Sequence, residues 1–173
     1  MSISMYDLTV PPLRRGFERL SNYLHLAREF AADNHIDPQL LVSARLAPDM
    51  HSLSGQVQRA SDTAKFAIKR LARIEVPRYD DSENSLEELQ DRIDKTVALI
   101  DAVAQEKFDG SDERVVEMKF FTYTFALRGD NFVQSFLLPN FYFHLATAHA
   151  ILRHRGLPIG KMDYIGSLER SRT

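Results

Sequence analysis

The chain has 173 residues, of which 44% are hydrophobic, 27% charged and none cysteine, and a formal net charge of −2. That is the size and composition of one globular domain with one core, and the lack of cysteine excludes disulfides, a cysteine nucleophile, iron–sulfur ligation and thiolate zinc sites. Charges of both signs are interspersed, so no field is built for nucleic acid; no stretch reaches the ~18 apolar residues of a membrane span; and residues 1–5 lack the basic-then-apolar pattern of a signal peptide, so a cytoplasmic location is expected.

Residues 11–32 carry Leu13, Phe17, Leu20, Leu24, Ala27 and Ala31 at steps of three and four, which predicts an amphipathic helix. Pro11 and Pro12 suit its first turn, where a missing amide donor costs nothing. Asp37 before Pro38 pairs an N-cap with a first-turn proline and predicts a short helix bearing Leu40 and Leu41, ending before Pro48. A second long helix is expected from 48 to 73, with Met50, Leu53, Val57, Ala60, Ala64, Ala67, Ile68 and Leu71 as its apolar stripe. Lys65, Lys69, Arg70 and Arg73 near its C-terminus read as solvent-facing complements to the helix dipole.

Residues 76–84, with Pro77 and the acidic Asp80, Asp81 and Glu83, read as a solvated loop. Ser85 and Glu88 form a capping-box pattern that opens a third helix, carried by Leu86, Leu89, Ile93, Val97, Ile100 and Val103. From 114 to 128 the period changes to two, which predicts a β-hairpin turning near Phe121 and Thr122. Gly129 and Asp130 close it and cap a fourth helix over 131–155, with a kink expected beside Asn140 because Pro139 removes one backbone hydrogen bond. This helix is apolar nearly all round, with Phe136, Phe141 and Phe143 among its aromatic residues, so it is either central or covered by a second subunit, and a homodimer is the partner expected. The tail beyond Lys161 reads as irregular.

No G-x-G-x-x-G, G-x-S-x-G or H-E-x-x-H motif is present. His144 and His149 lie five residues apart, about 140° around a helix, and do not share a face. Asn140 and His144, four apart, do. His51 meets them if the second helix packs beside the fourth, and Gln58, two turns along, is expected in the same wall. By themselves two imidazoles and an amide fall short of the usual three-ligand catalytic metal set, and a buried histidine with one hydrogen-bond partner is the plainer reading.

The run Leu137-Leu138-Pro139-Asn140-Phe141-Tyr142-Phe143-His144-Leu145, followed by Ala150-Ile151-Leu152-Arg153-His154-Arg155-Gly156-Leu157-Pro158, resembles the last helix of the DinB-like (DinB/YfiT) superfamily. Within it the chain is most similar to the branch called domain of unknown function 1993. Leu46-Ala47-Pro48-Asp49-Met50, Gln56, Val57 and residues 84–95 resemble the same branch, so the likeness spans nearly all of 1–173 as a single domain. The resemblance implies an up-down-down-up four-helix bundle, mainly all-α with the short hairpin inserted before the last helix, often dimeric, with a site at one end where many members hold one divalent metal, zinc or nickel. Matched residue by residue, Leu152-Arg153 places His144 on the second histidine of the family's pair and Asn140 on the first, with His51 near the second-helix ligand. An amide oxygen is a weaker ligand than imidazole for these metals. Two function classes follow. One is a metal-dependent transferase or hydrolase using His51, Asn140 and His144 with a thiol or water. The other, preferred here, is a dimeric non-catalytic or small-molecule-binding domain whose pocket keeps Asn140, His144 and Gln58.

Overall fold

The first helix begins earlier than its prolines suggest. In the computed structural model, which describes residues 3–120 and 122–167, α1 spans Met5–Asp33, and the Ser4 hydroxyl caps it by accepting the Asp7 N–H at 3.1 Å. Pro11 and Pro12 therefore sit inside the helix and not in its first turn, because a serine cap with an acidic first turn fixes the start more strongly than proline does. Asp37 accepts the Gln39 N–H at 2.9 Å and starts the short α2, Gln39–Val42. The next long helix, α3, spans Leu53–Ala72 and starts at the Ser52 cap, five residues after the expected Pro48 start, so His51 lies just outside it.

Helix α4, Leu86–Asp101, has the expected Ser85 cap, with Glu88 N–H donating to Ser85 Oγ at 3.1 Å; the Glu88 carboxylate in turn accepts the N–H of Asn84, one residue before the serine. The hairpin pairs β1, Val115–Phe120, with β2, Tyr123–Arg128, in antiparallel register from Val115 opposite Arg128 to Phe120 opposite Tyr123. Of its expected turn residues, Phe121 lies outside the described residues. Val116 and Met118 turn inward, while Tyr123 and Phe125 stay exposed.

The last long helical stretch is assembled from three pieces: α5, Gly129–Phe132; a π turn, Val133–Leu137; and α6, Leu138–His154. Gly129 is required at the junction, since a Cβ there would lie 1.8 Å from the Ser111 carbonyl oxygen. Pro139 falls in the first turn of α6, where its missing donor is harmless, and the irregularity expected beside Asn140 is a π turn just ahead of it. The tail contains a further short helix, α7, Lys161–Ile165, closed by Asp163 accepting the Gly160 N–H at 2.7 Å.

Side-chain pairs give the directions of the four long helices. The earlier part of α1 meets the earlier part of α6, Pro12 with Tyr142 and Phe17 with Phe141, and the later part meets the later, Tyr23 with His149, so α1 and α6 run parallel. Residue numbers run oppositely for α1 and α4 (Arg14 with Asp101, Ser21 with Gln90, Arg28 with Glu87) and for α3 and α6 (Gln56 with His144, Thr63 with Asn140). The result is an up-down-down-up four-helix bundle with the hairpin inserted before the last helix.

The apolar girdle of α6 is covered largely from within. Phe141 is fully buried, its ring 5.1 Å from that of Phe17, and it fills the space left by Gly16, where a Cβ would come within 2.2 Å of it. Phe143, on the same apolar helix, is 56% exposed. Its position falls outside the two faces that α1 and α3 cover. The basic residues of α3 also depart from expectation, because Lys65 is buried: its ammonium sits 3.7 Å above the Tyr79 ring and 3.3 Å from Asp62. Beside it Arg92, with a side chain 1% exposed, donates to Asp62, Glu83 and the Asp80 carbonyl and contacts Asp81. The acidic loop is thus folded inward around a cation.

Two stability outcomes follow. In urea titrations Phe141→Ala loses about 3–5 kcal/mol, whereas Phe143→Ala loses under about 1 kcal/mol; equal losses would contradict the burial described. Arg92→Met, which removes the buried cation that Asp62, Asp81 and Glu83 share, loses roughly 3–5 kcal/mol in the same measurement.

Candidate functional site

Along α3 a second stripe runs at steps of three and four beside the apolar one: Gln56, Arg59, Thr63, Phe66 and Arg70. With Asn140 and His144 of α6, Phe132, Phe136, Met118, Lys119 and His51, most of this stripe encloses a cavity of about 450 Å³ between α3, α6 and the hairpin. The structure thus brings His51, Asn140 and His144 to one cavity. It turns Gln58 elsewhere: that amide donates to Glu83 at 3.0 Å and does not line the cavity. The helix begins at Leu53, so counting helical turns from His51 does not reach the right glutamine.

The right one is Gln56, almost wholly buried. Its Nε2 donates to the His51 carbonyl at 3.2 Å, which leaves its Oε1 facing His144 Nδ1 at 2.8 Å. An amide oxygen can only accept, so Nδ1 carries the proton and Nε2 of His144 is left as an unprotonated acceptor. Burial, with the His51 and Arg59 charges adding to it, pushes the His144 pKa down to about 4. The imidazole is therefore neutral at physiological pH. Asn140 donates its Nδ2 to Thr63 Oγ1 at 2.8 Å, which orients its Oδ1 as a second acceptor. His51 itself is exposed and lies against Gly55, where an added Cβ would be 2.9 Å from the His51 Cβ and 3.2 Å from its Nδ1. The backbone carbonyl of His51 does more to build the site than its ring.

The rim of the cavity is cationic. Arg59, Arg70 and Lys119 line it against a single carboxylate, Asp62, which already pairs with Arg59, Lys65 and Arg92. Among the described residues no three His, Cys, Asp or Glu side chains form a metal-holding group. A donor set of one buried imidazole, one exposed imidazole and one amide, ringed by positive charge, does not suit a divalent cation. A wider groove between α1 and the segment after α7 is less promising, since its Arg14 and Arg19 are paired with carboxylates and Arg15 binds the Ile165 carbonyl.

Comparison with known proteins fits this fold. The model of the family described as domain of unknown function 1993 matches residues 5–165, and the chain belongs to that family. Among solved structures it is similar to a DinB family member from Shewanella denitrificans, at 33% identity with a TM-score of 0.90, covering 97% of this chain and 95% of that one. No curated protein matches. No helix among the described residues is long and apolar enough to cross a membrane.

Because the folded pKa of His144 lies below its unfolded value of about 6.5, the unfolded chain takes up a proton that the native site refuses. Stability is then lost as pH falls from about 6.5 towards 4, by up to roughly 3 kcal/mol from this residue. Urea midpoints of wild type and His144→Gln across that window check it: the variant's profile is flatter.

Proposed function

We propose that this chain is a small-molecule-binding helical-bundle domain, in which the position used elsewhere in the superfamily for a metal serves as a hydrogen-bonding pocket. The observation that carries the reading is the Gln56–His144 pair, which locks a neutral imidazole with Nδ1 occupied and Nε2 free. In such a pocket Nε2 and the Asn140 oxygen accept hydrogen bonds from a ligand hydroxyl or amide, while Phe66, Phe132, Phe136 and Met118 supply an apolar wall. A cavity of about 450 Å³ is within the range of small-molecule sites. The cationic rim supports this reading over a metal-dependent transferase or hydrolase, because it raises the electrostatic cost of a bound divalent ion.

Elemental analysis of untagged protein prepared without chelator, combined with an NMR fragment screen, tests the proposal. The expected result is metal far below one equivalent and fragment-induced shifts centred on Gln56, Thr63, Asn140 and His144. Near-stoichiometric zinc or nickel that disappears in His144→Ala would overturn it in favour of the metalloenzyme.

A further inference from the structure

Arg70 carries a charge at the cavity that no acidic side chain among the described residues meets. It is half-buried, its guanidinium carbon 5.3 Å from the centre of the Phe66 ring, and among the described residues its hydrogen bonds, both 3.4 Å long, go to the carbonyls of Glu117 and Phe66. Among the described residues no carboxylate pairs with it. Lys119, on β1 at the same cavity, likewise has no acidic partner among them. A partly desolvated guanidinium held beside an aromatic ring and two carbonyls has already lost part of its hydration and rotamer freedom, so an anion arriving there meets a prepared site.

The other charges at the cavity do not cancel this. Arg59 binds Asp62 and Asp81, and Asp62 is shared among Arg59, Lys65 and Arg92, so the single carboxylate on the wall is spent. His51 is exposed and His144 is neutral at physiological pH. What remains uncompensated is positive, and it stands next to Phe66, Phe132, Phe136 and Met118.

From this juxtaposition we infer that the cavity takes a small organic carboxylate with an apolar, ring-sized body: Arg70 and Lys119 hold the anionic end, the aromatic side chains hold the body, and His144 Nε2 or Asn140 Oδ1 accepts from any hydroxyl or amide it carries. The inference rests on the small-molecule reading and adds the sign of the ligand's charge. A planar guanidinium matches a carboxylate through two parallel hydrogen bonds, which an amide of the same shape cannot reproduce.

The test compares phenylacetate with phenylacetamide, equal in size and differing in charge, by calorimetry and by amide shifts of the intact chain. Phenylacetate is expected to bind at least about tenfold more tightly, an advantage that shrinks with added salt. Arg70→Met removes most of that advantage, the loss falling chiefly on phenylacetate. Lys119→Gln, at an exposed strand position, removes part of it and serves if Arg70→Met does not fold. Equal affinity for the two probes, with shifts on Gln56 and His144, overturns the charge inference and leaves the pocket standing. Shifts from neither probe overturn both readings. A carboxylate preference that survives Arg70→Met and Lys119→Gln combined in one chain places the anion elsewhere and overturns this assignment.

Discussion

The interaction on which both fold and site depend is the one between Arg92 and Asp62. A guanidinium 1% exposed is tolerable in a protein interior only if it is surrounded by acceptors, and here Asp62 from α3 and Asp81, Glu83 and the Asp80 carbonyl from the loop after it provide them. The pairing fastens α4 to α3 and folds the loop over both, with Tyr79 lying between the cations of Lys65 and Arg92. It has a second effect one turn away. Asp62 borders the cavity, and had its charge been free it would have offset the remaining cations of the rim and offered a hard oxygen ligand to a metal. Because three buried or half-buried cations already share it, the cavity keeps a positive rim. The core's solution to burying Arg92 thus fixes the electrostatics of the pocket.

Much of the fold was legible because it rests on local rules. The Ser85 cap, the Asp37 turn, the apolar steps of α1 and α3 and the change of period at residue 115 each follow from spacing within a few residues. The misplaced features depend on partners distant in sequence. Pro11 and Pro12 resemble a helix start until the Ser4 cap is given priority. Lys65 and Arg70 resemble a solvated C-terminal turn until Tyr79 and the hairpin close over them. Phe143 shares the composition of its neighbours and differs from Phe141 only in the face it occupies.

The candidate site was half legible for the same reason. Asn140 and His144 share a face by simple helical arithmetic, and the structure unites them with His51 at one cavity. Gln58 was the wrong glutamine because the count began at a residue outside the helix. One signal would have found the right wall: Gln56, Arg59, Thr63, Phe66 and Arg70 recur at steps of three and four, forming a stripe too mixed for a core and too aromatic for a fully solvated face.

Antiparallel packing of α3 against α6 explains why this stripe opens into a cavity. Asn140 and His144 are one turn apart on α6, yet their partners Thr63 and Gln56 are two turns apart on α3. Side chains that close on a facing helix at such unequal spacing leave the intermediate turn unopposed, and that turn carries Arg59 and Asp62. A histidine at position 140 with a free ring nitrogen would point a second imidazole into this gap and suit a metal. Asparagine instead gives its donor to Thr63 and presents an oxygen, so the same backbone geometry offers hydrogen-bond acceptors inside and cations at the rim. On the proposed reading, a change from metal chemistry to recognition of an organic anion would need no movement of the helices, only the side chains found at Asn140, Gln56 and Arg70.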